Sequence, residues 1–189
     1  MNAPEPTKPT LLLDACCLLN LFATGHIEEI LKTLAWHFAI TTVASTEAMW
    51  VYRGGGGDDA SERDPVDVRS LMAAALLAVL EPETDQEIED FVALAAVLDD
   101  GEAMTAAVAI HRSAAIATDD RKARRVISAR AVGIRLLSTT ELLHTWGQEA
   151  GVDASILMEA LGNVRTRAHF LPPSQDPLRP WWDATSERA

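Results

Sequence analysis

The chain has 189 residues, 48% of them hydrophobic and 23% charged, with a formal net charge of −12. One domain of this length buries about 70% of its unfolded surface, so no staple is required and the composition excludes wholesale disorder. The acidity argues against a simple basic nucleic-acid binder, whose affinity comes from neutralising phosphates.

Residues 1–9 read as a flexible tail with three prolines before position 10 and no apolar core for a signal peptide. Residues 10–13 are an apolar run suited to a buried strand, which ends at Asp14. A helix over 16–23 is stopped by Gly25, and a second spans 27–35 with Ile27, Ile30, Leu31 and Leu34 on one face. Residues 37–42 fit a strand and 43–52 a helix. Four glycines in the stretch 53–64 carry a large ordering entropy and mark a mobile surface loop, after which Pro65 opens a helix. Residues 76–80 suit a short strand, and from Thr84 the spacing of Ile88, Phe91, Val92 and Ala95 predicts an amphipathic helix. The longest apolar run, 71–80, is half the ~20 residues of a membrane span.

After Asp100-Gly101-Glu102 an alanine-rich helix covers 103–112, and 114–117 is a strand candidate. Thr118-Asp119-Asp120 lead into a basic helix that runs to Ala131 and is closed by Gly133, with a strand at 134–137. Helices near 139–147 and 153–163 precede a tail rich in proline and tryptophan. Strands alternating with helices predict an α/β fold with a parallel sheet covered on both sides. Trp146 reads as core, and Trp181-Trp182 as anchors in a groove of this chain or of a second copy. The adjacent pair Cys16-Cys17 excludes a disulfide framework and reads as core thiols, so the expected setting is cytoplasmic, with no membrane contact.

The charge is unevenly placed. Residues 58–102 hold 14 acids against 2 bases, whereas 111–135 hold 7 bases against 2 acids. Several acids recur at matching structural places: Asp14 ends the first strand, Glu47 follows the second, Asp100 and Glu102 open the alanine-rich helix, and Asp119 and Asp120 follow a later strand. Ligands of an open parallel sheet bind beyond the carboxyl ends of its strands. Helix capping is an alternative duty for Asp14, Asp100 or Asp119. Converging carboxylates repel, and a hard dication, Mg²⁺ or Mn²⁺, is the usual remedy. Two such ions about 4 Å apart activate water in phosphodiester hydrolysis. Zinc is the weaker reading, since His26, His37, His111, His144 and His169 lack paired spacing and the cysteines lack C-x-x-C spacing.

These fragments, Leu11-Leu12-Leu13-Asp14-Ala15-Cys16-Cys17-Leu18-Leu19-Asn20, Glu47, Asp100-Gly101-Glu102-Ala103 and Ala117-Thr118-Asp119-Asp120-Arg121, resemble in order and spacing those of the PIN-domain nucleases. The resemblance covers roughly residues 10–148, leaving 149–189 as a C-terminal helix and Pro/Trp-rich tail packed on that domain. It implies a three-layer α/β/α sandwich with a mainly parallel central sheet. It further implies a divalent-metal-dependent endoribonuclease acting on single-stranded RNA, often the toxin of a toxin–antitoxin pair, with an antitoxin as partner; a homodimer is the partner that the second-copy reading of the Trp181-Trp182 groove offers. By position, Asp14, Glu47 and Glu102 match the first three acids and Asp119 or Asp120 the fourth, with Asp120 favoured and both counted as metal ligands, and Thr118 holding the turn or a water. Arg121, Arg124 and Arg125 share a helix face and are candidate RNA-phosphate contacts, or merely offset the acidic middle of the chain. Family members often carry Thr and then Asn or Ser after the first acid, where this chain has Ala15 and Cys16. That departure motivates the alternative, a catalytically degenerate PIN-like module that binds RNA or protein.

Overall fold

The computed structural model describes residues 8–48, 50–53 and 63–186. Strand β1 (Thr10–Leu13) runs into α1 (Ala15–Ala23), and Gly25, at a φ of 81° that glycine adopts without steric cost, turns the chain towards α2 (Ile27–Thr33). There follow β2 (His37–Thr41), α3 (Thr42–Glu47), β3 (Trp50–Tyr52), β4 (Arg63–Pro65), α4 (Val68–Ala73) and β5 (Ala78–Leu80). The second half comprises α5 (Asp85–Ala95), α6 (Asp100–Arg112), β6 (Ala115–Ala117), α7 (Arg121–Arg130), β7 (Leu136–Leu137), α8 (Thr139–Glu149), α9 (Ala154–Arg167) and α10 (Arg179–Ser186).

Among the described residues, five strands form a parallel sheet in the order β5-β2-β1-β6-β7. Both faces are covered, which is why the strands read as unbroken apolar runs. Leu11, Leu13, Ala115 and Ala117 point into one core with Leu18, Leu143, Trp146, Leu161 and Trp182. Leu12, Ala39 and Ile116 point into the other, against Leu94, Ala106, Val108 and Ile127. The α/β/α sandwich with a parallel central sheet is thus observed. Helix starts are well capped: Thr84 with Glu87 and Ser138 with Glu141 each form a capping box at the head of α5 and α8. No helix among the described residues is long and apolar enough to cross a membrane.

Several elements differ from the sequence reading. The single helix expected over 43–52 is two elements, α3 and β3, because residues 50–52 pair antiparallel with Arg63–Pro65. The Arg63 guanidinium also stacks over the Trp50 ring at 4.5 Å. Of the loop expected over 53–64, residues 54–62 lie outside the described residues, whereas Arg63 and Asp64 belong to β4. Pro65 ends that strand instead of opening a helix; at the last position of a two-stranded ladder its missing N–H is tolerated. The alanine-rich helix begins earlier, at Asp100, and the tail carries an unexpected helix, α10. Trp182, 1% exposed, fills a groove of this same chain. Within the acidic stretch 81–90, Glu87 is buried and takes a 2.7 Å bond from Arg112, which holds its carboxyl down at about 2. Asp90 bonds His111 at 2.9 Å, so part of that stretch joins α5 to α6.

Candidate active site

The strand order reverses on either side of β1, between β2 and β6, and such a reversal opens a crevice beyond the carboxyl ends of the strands. Asp14 follows β1 there, and Thr118, Asp119 and Asp120 follow β6. Glu47 ends the helix that follows β2, and Glu102 lies in the first turn of α6.

Each acid is fixed by local chemistry. Asp14, 4% exposed, caps α1 through a 2.8 Å bond from the Ala15 amide to Oδ1. Its Oδ2 accepts from Thr118 Oγ1 at 3.0 Å and from Cys16 Sγ at 3.2 Å. Asp120 caps α7, accepting from the Ala123 amide at 2.7 Å, and its own amide donates to Thr118 Oγ1 at 3.2 Å. Thr118 therefore ties Asp14 and Asp120 together. Glu47 reaches across to α6 and accepts from the Gly101 amide at 3.1 Å. A Cβ at position 101 would overlap this carboxylate, lying 2.7 Å from its Cδ, so the glycine is what lets Glu47 sit against the helix start.

Two of these carboxyls, Glu47 and Glu102, are raised. Burial raises the Glu102 carboxyl to about 7, reinforced by Asp120 and Asp14. Burial likewise raises Glu47, with Asp14, Asp99 and Asp100 adding to the effect. Among the described residues no Lys or Arg pairs with Asp14, Glu47, Glu102 or Asp120.

Asp119 is placed differently. It accepts from the Thr139 amide at 3.0 Å, from Asn20 Nδ2 at 3.1 Å, from Cys17 Sγ at 3.4 Å and from Thr139 Oγ1. Burial nonetheless raises its carboxyl above the ordinary range. Cys16, Cys17 and Asp119 bring one ligand-capable atom each within 4.8 Å of one another. Burial pushes the Cys17 thiol well up, away from the thiolate a metal requires, and Asp119 is already occupied by four donors. Arg124 is also engaged: one of its nitrogens donates to the carbonyls of Thr118 and Leu137, at 2.9 Å each, and so joins the ends of β6 and β7. Arg121, Lys122 and Arg125 are exposed and stand on the same helix as the cap Asp120.

Asp14 caps α1 as expected, whereas the caps of α6 and α7 fall one residue from their expected places. Asp99, not Asp100, occupies the cap position of α6, and Asp120, not Asp119, that of α7. Three contributors had no signal of their own in the sequence reading: Gly101 as the seat of Glu47, and Asn20 with Thr139 as the clamp on Asp119. Thr139 was findable only through its neighbours, since Ser138 and Glu141 mark a helix start just beyond a strand.

The donor set suits a hard divalent cation. It offers carboxylate oxygens that no Lys or Arg among the described residues compensates, with one carboxyl raised to about 7 by its burial and by its neighbours. No curated protein matches the chain. The family model DUF3368, described as a PIN domain, matches residues 10–169. PIN domains are generally nucleases and typically bind divalent metals. With that match over most of its length, and with a parallel sheet carrying acids at its reversal point, the chain belongs to the PIN-domain family.

Proposed function

We propose that the protein is a divalent-metal-dependent endoribonuclease that hydrolyses phosphodiester bonds of single-stranded RNA, using Mg²⁺ or Mn²⁺ held by Asp14, Glu47, Glu102 and Asp120. The observation that carries this reading is that acids from separate elements gather at the reversal point of the sheet, where Asp14 and Asp120 act on Glu102 and Asp14 acts on Glu47, with no cationic side chain among the described residues paired to any of the four. When bound, such a cation supplies counter-charge and Lewis-acid polarisation of water and of a phosphoryl oxygen.

The chain's own contribution is positioning. Thr118 and the amide of Ala15 fix Asp14, the Ala123 amide fixes Asp120, and the Gly101 amide fixes Glu47. Little side-chain freedom is then left to lose when substrate binds. Asp120 is the fourth acid in this reading, because Asp119 faces Thr139 and Asn20. In this reading the exposed Arg121 and Arg125 contact phosphates flanking the scissile bond, whereas Arg124 serves the sheet.

The test is cleavage of labelled single-stranded RNA by the purified protein with Mg²⁺ or Mn²⁺, repeated with Asp14→Asn. Cutting by the parent is expected, with a loss of at least about 100-fold in the variant and an unchanged fold. A folded parent that cuts nothing with either metal, or a variant as active as the parent, would refute the assignment. Manganese calorimetry separates the alternative of a degenerate binding module, whose site should take the ion weakly or not at all. Membership of a toxin–antitoxin pair is the narrower proposal, and a small DNA-binding protein encoded by the adjoining gene would support it.

A further inference from the structure

Residues 170–186 lie beyond the span matched to the family, yet they help to wall the space beside Asp119 and Asp120. Two adjoining cavities open between residues 173–178 and the starts of α7 and α8. The smaller, about 290 Å³, is lined by Arg121, Glu141, Pro173, Gln175, Asp176 and Leu178, among others. The larger, about 650 Å³, is lined by Asp120, Arg121, Lys122, Arg125, Ser174 and Gln175, among others. Asp119, Arg121, Pro173 and Gln175 border both, so the two form one trough that begins at Asp120 and leads away from it.

The trough has a distinctive chemistry. Arg121, Lys122 and Arg125 are exposed and take part in no ion pair or hydrogen bond among the described residues. In a chain with 28 acids against 16 bases, three unpaired cations on one helix turn constitute a local anion-binding surface. Farther in, Pro173, Pro177 and Leu178 give an apolar wall. Glu141 Oε2 is occupied by the Ser138 amide at 2.7 Å, and Asp176 Oδ1 by the Leu178 amide at 2.8 Å. Each carboxylate therefore keeps one oxygen without a partner, and both can only accept.

The wall is also preformed. Arg179 Nη1 donates to the Pro172 carbonyl at 2.7 Å and its Nε binds Asp183 at 2.8 Å, while the Asp176 amide bonds the Pro173 carbonyl at 2.9 Å. Buried Trp182 anchors the whole segment.

We infer that this trough is a specificity subsite that takes one unpaired nucleotide of the RNA strand next to the scissile phosphate. Its phosphates meet Arg121, Lys122 and Arg125, and its base enters the smaller cavity against Pro173 and Leu178. The two open carboxylate oxygens of Glu141 and Asp176 favour a base with adjacent donors, and guanine presents N1–H and N2–H₂ side by side. This inference deepens the nuclease reading and rests on it for the nature of the strand.

The test uses Asp14→Asn protein, which is not expected to cut, titrated with labelled pentanucleotides UUUUU and UUGUU and followed by fluorescence anisotropy. UUGUU is expected to bind about tenfold more tightly. Asp176→Asn keeps the Oδ1 acceptor for Leu178 but turns the free oxygen into a donor, so it should erase the guanine preference while the melting temperature stays put. Arg121→Ala should weaken both oligonucleotides alike and reduce the salt slope by about 0.7. Equal binding of the two sequences, or indifference to Arg121→Ala, overturns the subsite. If the parent still takes Mn²⁺ and cuts RNA in that case, the nuclease reading survives alone. Guanine-selective binding by a protein that cuts nothing keeps the subsite and overturns the nuclease.

Discussion

Asp119 accepts bonds from Thr139, Asn20 and Cys17, whereas its neighbour Asp120 turns to the head of α7 and the field of Glu102. Two adjacent carboxylates thereby take separate duties, one holding β6 to α1 and α8, the other facing the crevice. Replacing Asp119 with Asn presents an amide donor where donors already converge. The expected outcome is a loss of about 1–3 kcal/mol in stability, seen as a lower melting temperature, with Mn²⁺ affinity within a few-fold of the parent. Loss of Mn²⁺ binding without loss of stability would reverse the two roles. The sequence alone left Asp119 and Asp120 open because capping and coordination ask for the same residue type; only the tertiary position of Asn20 and Thr139 separates them.

At the scale of elements, the central strands were legible because a strand covered on both faces must be apolar at every position, as residues 11–13 are. The β3–β4 hairpin was not. Its pairing joins Trp50 to Pro65 across a long gap in sequence, and no local periodicity encodes that contact. The helix α10 was hidden by the prolines around it, although Arg179 and Asp183 form an (i, i+4) pair inside it. This helix packs on α9 and buries Trp182 against the Phe170 ring at 5.8 Å. Trp182→Ala removes a fully buried indole and should cost about 3–5 kcal/mol in denaturant titration. A variant as stable as the parent would show that the segment is not part of the folded unit.

For the molecule as a whole, the crowded acids set the pH response. Glu102 is raised from its ordinary 4.5 to about 7 in the fold. Its neutral form therefore favours folding: the contribution is complete below about 4.5 and is lost as pH rises through about 7. Metal-free protein is expected to lose melting temperature across that window, and Glu102→Gln should flatten the decline. Saturating Mn²⁺ should raise the melting temperature most at the alkaline end, where the carboxylates are charged. A decline that is unchanged in Glu102→Gln would assign it to another group. Net charge, which at first argued against an RNA partner, thus divides into a crowded centre, a face joining α5 to α6, and a small cationic patch.

The bond from Thr118 to Asp14 spans 104 residues of sequence, because the strand beside β1 on this side is β6. A ribosome must therefore add the 104 residues that separate them before the first and last acids can meet. Until then, a growing chain carries the separate carboxylates but no assembled centre. Premature termination anywhere before β6 yields a fragment in which the acidic centre is never assembled, so the order of translation itself delays the completion of that centre until β6 is made.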